Sequence, residues 1–344
     1  MKTTDKHCGS LNFDTIPKIE NHLHLEGAIP YETLWQLILK YGGDKSIPDI
    51  SRLKEKFIYT DFNHFINTWI WKNSFIREYE DFVLISEAVL NDLVKQNIKY
   101  AEIFISPSPF RNTLKTQRII ESISGSIVRN SEIRVNLIID LVRNYSPENE
   151  MRTLFEINEV KNMGIIGIGL GGSEKDYPPE LFTDVFTQAR KFGFKTTAHA
   201  GEASGAKSIW GALRNLKADR IGHGTRAVED HDLLNYLADN QIPIELCPIS
   251  NLRTRVIDSI DNHPIRTFID MGIPVSINSD DPKMFGNSLS AEYETLRDCF
   301  GFSDEKIKNL IINSINTTWL DDKEKKALIE EFRKEYQEGS YATI

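Results

Sequence analysis

The chain has 344 residues, 40% of them hydrophobic and 26% charged, an ordinary globular composition with length for one large domain or two small ones. Its 50 acidic against 41 basic residues leave a net charge of -9, which repels a polynucleotide backbone and argues for a small-molecule substrate with no nucleic-acid partner. Cys8, Cys247 and Cys299 are too scattered for a disulfide framework or thiolate metal site, and no signal-like or bilayer-length apolar run occurs, so a cytoplasmic protein without membrane attachment is expected.

In chain order, eight short runs rich in Ile, Val and Phe are apolar enough to be buried on both faces, as parallel strands flanked by helices are. They are IPKIENHLHL from Ile16, IKYAEIFIS from Ile98, IRVNLIID from Ile133, GIIGIGL from Gly164, FKTTAHA from Phe194, DRIGHG from Asp219, IPIELC from Ile242 and IPVSINSD from Ile273. Stretches between them, such as LFTDVFTQARKFG and DHDLLNYLADN, repeat apolar residues at three and four and predict helices. Such alternation suits an open doubly wound sheet as well as a (β/α)₈ TIM-type barrel. The strand ends favour the barrel, because closure brings the C-terminal ends around one mouth. Those ends carry His22, His24 and Glu26, then Gly171, Gly172 and Glu174, then His199 and Glu202, then His223, and finally Asp280 and Asp281.

The connection from Ala28 to Asn97 is too long for one crossover helix and predicts a helical insertion, about 28–97, in a single barrel domain spanning 1–344. Its pieces are YETLWQLILKYG, SRLKEKF, DFNHFINTWIWKNSFI and EDFVLISEAVLNDLVKQ. Phe62, Phe65, Trp69 and Trp71 in the third are either helix core or an apolar lid that would stack on a flat base. No repeat or low-complexity linker interrupts the chain, and nothing in it fixes an oligomeric state.

Alone, His22-Leu23-His24 is a weak signal, although alternate residues of a strand point to one side and can reach one ion. With His199 and Asp280 at two other strand ends, the set becomes three imidazoles and a carboxylate, donors that suit a catalytic zinc ion (Zn2+). His223, in RIGHG, is placed to orient water and receive its proton; the plain alternative is a core histidine bonded to backbone. Glu202 is a candidate proton donor to the substrate, or otherwise a solvated glutamate; Gly201 before it suggests backbone approaching a ligand. Asp281, beside Asp280, is expected to stay partly protonated and donate to a ring nitrogen, to cap the helix at Pro282, or both. Gly167 to Gly172 matches G-x-G-x-x-G, but SEKDYPPE follows where a dinucleotide loop needs a helix N-terminus. Close approach to a flat ligand, with the Gly172 amide as donor, fits better.

In order along the chain, PKIENHLHLEGAIP, TAHAGE, RIGHG, CPISN and SINSDDP resemble the motifs of the adenosine deaminase family within the amidohydrolase superfamily. The resemblance implies a (β/α)₈ barrel, one zinc ion, and hydrolytic replacement of a purine's exocyclic amine by oxygen. By position, His22, His24, His199 and Asp280 resemble the zinc ligands and His223 the residue that positions and deprotonates water. Glu202 resembles the donor to ring nitrogen 1, Asp281 the partner of nitrogen 7 and Gly172 the backbone donor to nitrogen 3. Two departures bear on the substrate. HLEG puts Glu26 where adenosine enzymes carry a ribose-holding aspartate, and GIGLGGSE replaces a sequence closer to DLAGDE, so Gly169 and Ser173 stand for acids.

The expected activity is therefore deamination of adenosine or a related aminopurine nucleoside, with free adenine, methylated adenylate and 6-aminodeoxyfutalosine as alternative substrates. A related metal hydrolase and a purine-binding protein without catalysis are the competing classes. Ammonia release separates them.

Overall fold

The structure is a computed structural model, which describes residues 11–339; Cys8 lies outside the described residues. Eight parallel strands run in sequential order: β1 (Lys18–His24), β2 (Ile98–Ile105), β3 (Arg134–Val142), β4 (Ile165–Gly171), β5 (Lys195–Ala200), β6 (Arg220–His223), β7 (Ile244–Leu246) and β8 (Val275–Ile277). The ring closes just beyond β8, where Asp280 N donates to His22 O at 3.0 Å and His24 N to Asp280 O at 2.9 Å. Helices lie between the strands, making a (β/α)₈ barrel with both strand faces covered. The open-sheet alternative is thereby removed. Every residue of β1 is buried, polar ones included, because one face meets helices and the other the barrel interior.

That interior is charged at mid-height. Arg220 from β6 lies 2.6 Å from Glu102 of β2 and 2.6 Å from Glu245 of β7, with its plane stacked 3.6 Å from the Trp319 ring centroid. A buried guanidinium is tolerable because both carboxylates and the Thr317 carbonyl, at 3.0 Å, meet it. Below it, Lys18 bonds the Ile16 carbonyl at 3.0 Å and those of Phe13 and Gln96. The helix Asp322–Gly339 latches onto this end through Tyr336 Oη, which donates to Pro17 O at 2.9 Å.

After β1 come four helices, α1 (Tyr31–Lys40), α2 (Ile50–Glu55), α3 (Phe62–Asn73) and α4 (Tyr79–Lys95). Asp49 and Asp61 cap α2 and α3 by accepting from Arg52 N and His64 N at 2.9 and 2.8 Å. The fourth packs on β2 and the helix Thr116–Arg129, as a crossover helix does, so the additional elements are α1 to α3. Strands β7 and β8 are shorter than the sequence runs suggest. The backbone beyond β8 turns into the left-handed region at Asp280, φ 64°, and β6 ends likewise at His223, φ 62°. Among the described residues no helix is long and apolar enough to cross a membrane.

Candidate active site

At the C-terminal mouth of the barrel, β1 aims His22 and His24 inward, β5 delivers His199, and the left-handed turn after β8 delivers Asp280. His199 Nε2 lies 3.1 Å from the Nε2 atoms of both His22 and His24, while Asp280 Oδ1 lies 3.7 Å from His22 and 3.5 Å from His24. Donors each about 2.0–2.2 Å from one ion stand roughly 3.0–3.5 Å apart, so these spacings fit a metal. The chemistry agrees: burial, and the other imidazoles, hold His24 and His199 neutral, well below the usual histidine range, and leave lone pairs crowded at one point. An ion resolves that crowding. Burial opposes charge on His22, but the Glu245 carboxylate at its Nδ1, 2.7 Å away, together with Asp280 and Asp140, outweighs it and raises the pKa. A carboxylate behind a ligating imidazole fixes its tautomer and strengthens it as a donor. Asp280 is fixed in turn, its Oδ2 accepting from Ser250 Oγ at 2.6 Å.

His223, at the end of β6, joins the same cluster with Nε2 4.0 Å from Asp280 Oδ2 and 3.7 Å from Glu202 Oε2. Its Nδ1 meets the Asn251 amide at 3.1 Å, so it is not a backbone-bonded core histidine. Burial first, then Asp280 and Glu174, push the Glu202 carboxyl well above the usual glutamate range. It is buried, not solvated, an environment that favours the protonated form. Glu174 organises the loop that carries it, accepting from Gly201 N at 2.6 Å, Glu202 N at 3.2 Å and Ser204 N at 2.8 Å. Gly201 has a different explanation from the one its neighbour suggested: φ is +71°, and a Cβ there would stand 2.4 Å from Ile209, so the glycine serves packing and the turn.

Asp281 lines the cavity beside the cluster, its carboxyl raised well above the usual range by burial and by Asp280. Its carboxylate makes no cap to the helix Pro282–Phe285; its backbone carbonyl accepts from Met284 and Phe285 instead. Gly27 makes room for that carboxylate, since a Cβ there would lie 1.7 Å from Asp281 Oδ1. Gly172, φ +90°, lines the opposite wall. Glu26 does not line the cavity. It is fully buried behind the wall, with Oε1 accepting from Ser106 N at 3.0 Å and its backbone carbonyl bound by Lys72 of α3. The remaining glycines of the dinucleotide-like run also serve packing: a Cβ on Gly167 would strike Trp319 at 2.5 Å, Gly169 leaves space for Phe104 and Asp140, and Gly171 for Asp140.

Phe62, Phe65 and Trp69 of α3 face this cavity of about 160 Å³ together with Ile66 and Ile70. Trp71 faces away, its Nε1 donating to Asp44 at 2.8 Å. Helix core and cavity cover thus divide the four aromatics between them. Several contributors carried no assignment from sequence. Glu245 was signalled only as a lone charge inside the apolar run IPIELC, Ser250 and Asn251 as part of CPISN, and Asp140 as the acid that closes IRVNLIID.

Residues 17–335 match the adenosine deaminase family. The chain is 33% identical over 314 residues to the aminodeoxyfutalosine deaminase of Streptomyces avermitilis, covering 89% of this chain and 87% of that one. Its structure resembles that of the adenine deaminase from Arthrobacter aurescens with a TM-score of 0.89 at 28% identity, covering 94% of this chain and 100% of the other. A zinc-bound amidohydrolase from Burkholderia ambifaria gives a TM-score of 0.88 at 25% identity, covering 96% and 93%.

Proposed function

The chain belongs to the adenosine deaminase family, and from that premise we propose that it hydrolyses the 6-amino group of an adenine-type purine, releasing ammonia and the 6-oxo product. The observation that carries the reading is one cavity in which a buried carboxyl, Glu202, and a buried imidazole, His223, lie 3.7 Å apart beside the three-histidine and Asp280 cluster. His22, His24, His199 and Asp280 would hold zinc, which supplies Lewis acidity and lowers the pKa of water toward about 7. His223 orients that water and takes its proton at Nε2. The Asn251 amide nitrogen lies 3.1 Å from His223 Nδ1; turning that amide over puts its unpartnered oxygen there to accept from Nδ1–H, and the base form of His223 needs that orientation to leave Nε2 free. Glu202 is the acid. Protonated at rest, it donates to ring nitrogen 1 as the 6-position becomes tetrahedral, and ammonia departs after protonation. Neutral Asp281 donates to nitrogen 7, the Gly172 amide donates to nitrogen 3, and the α3 side chains cover the base and exclude water.

The relatives are named for different substrates, aminodeoxyfutalosine in one case and adenine in another. Glu26 is turned away from the cavity, so nothing about it favours the ribose contact that its place in HLEG implies. The test is an ultraviolet and ammonia-release assay of zinc-loaded protein with adenine, adenosine, methylated adenylate and 6-aminodeoxyfutalosine. Turnover with ammonia is expected for at least one; hydrolysis of a phosphoester without ammonia would replace the reading with another metal hydrolase.

A further inference from the structure

Asp140 is a buried acid on β3 that no step above uses. It is 4% exposed and lines the cavity; Oδ2 accepts from Ser106 Oγ at 3.2 Å, whereas Oδ1 has no partner among the described residues. The neighbouring strand makes room for it. A Cβ on Gly171 would stand 2.6 Å from Oδ2, and one on Gly169 would meet Phe104 at 2.7 Å and Oδ1 at 3.0 Å, so the carboxyl group occupies space that a side chain at Gly171 would fill. Nature of the side chain and shape of its seat agree: a polar group is held rigidly, with one oxygen left for a ligand.

The barrel order says which part of a purine that oxygen meets. Around a purine, the nitrogens after N1 run N3, N9, N7. Glu202 follows β5, Gly172 follows β4 and Asp281 follows β8, so a base bound by them has its N1 side at β5, its N3 side at β4 and its N7 side at β8. N9, between N3 and N7, then faces the sector of β3, β2 and β1, where Asp140 and Ser106 stand next to β4.

We propose that Asp140 is a specificity-determining residue that accepts a hydrogen bond from a donor on the N9 edge of the substrate, either N9–H of a free base or a hydroxyl of an N9-linked sugar. This rests on the deaminase reading, because the three contacts orient the base. The test compares kcat and KM for adenine, 9-methyladenine and adenosine in wild-type protein, Asp140→Asn and Asp140→Leu, with metal content and urea midpoints measured in parallel. Wild-type protein should prefer a donor-bearing substrate over 9-methyladenine: adenine if N9–H is read, adenosine if a sugar hydroxyl is. The leucine variant should lose on the order of 10–100-fold of that preference. The loss should fall in KM, with 9-methyladenine unaffected, and asparagine, which keeps one acceptor, should retain part of it. Binding of hypoxanthine, 9-methylhypoxanthine and inosine should follow the same ranking. If the leucine variant does not fold, Ser106→Ala, which frees Asp140 Oδ2 from its tether, should narrow the preference in the same direction. Equal losses on all substrates, or none, overturn the role of Asp140 alone. No deamination of any 6-aminopurine by zinc-loaded wild-type protein overturns the deaminase reading, and this inference with it.

Discussion

The two walls of the cavity are built on opposite principles. On the side of β1, β5, β6 and β8, four of the buried polar groups are braced from behind, Glu245 behind His22, Ser250 behind Asp280, Asn251 behind His223 and Glu174 beneath Glu202, while His199 Nδ1 and Asp281 Oδ1 have no partner among the described residues. On the side of β3, β4 and α3, the surface is glycine, an aromatic and aliphatic helix face with Ile70 58% exposed, and one acid with an oxygen unspoken for. Bracing fixes reacting groups to within fractions of an ångström, which proton transfer needs. A loosely packed apolar cover tolerates different shapes. On the proposed reading, reaction and selection are separated in space, and substitutions should separate in kind.

The largest effect belongs to the braced wall. Glu202→Gln keeps the shape but removes the proton, so kcat should fall on the order of 10²–10⁴-fold while KM and metal content stay near wild type. An active glutamine variant would break the assignment. Next is Glu245→Gln, behind the proposed ligand His22. Metal affinity, read by competition with a chelator, should drop roughly 10–100-fold. Arg220 also loses one of its two carboxylates, so unfolding in urea should show a cost of about 3–5 kcal/mol. Trp69→Ala, in the apolar wall, should act in the opposite pattern, raising KM about tenfold with little change in kcat or metal content. A kcat loss as large as that of Glu202→Gln would erase the distinction between the walls.

The smallest effect on activity is a control outside both walls. Burial lowers the Lys18 pKa to about 7, with Asp14 opposing and Lys99 assisting. The unfolded chain therefore holds more protons than the folded one from about pH 7 up to the ordinary lysine value, and stability should rise with pH across that window. Urea midpoints at pH 7 and pH 9 should show this rise in wild-type protein. Lys18→Met should lose it, with activity at a given pH unchanged.

How much was legible depended on how local each signal is. That His22, His24, His199, His223, Asp280 and Glu202 would gather could be anticipated because they stand at or just beyond strand ends, which in a barrel meet at one mouth. Glu26 looked equivalent by that rule yet turns behind the wall, because Ser106 N and the adjacent Lys72 of α3 claim it, partners distant in sequence. Trp71 shares its helix with Trp69 but faces Asp44 instead. Gly169 could be recognised as a departure, not as a seat for Asp140 on the next strand.

The sequence by itself determined the strand and helix alternation and which histidines and acids stand at the strand ends, because periodicity and residue chemistry are properties of short segments. Only the tertiary structure decided that β1 closes on the turn after β8, which carboxylates brace which imidazoles, and which acid faces the open side of the cavity. Those depend on through-space contacts between strands, where a few ångströms separate a group bonded to its neighbours from one left free for a ligand.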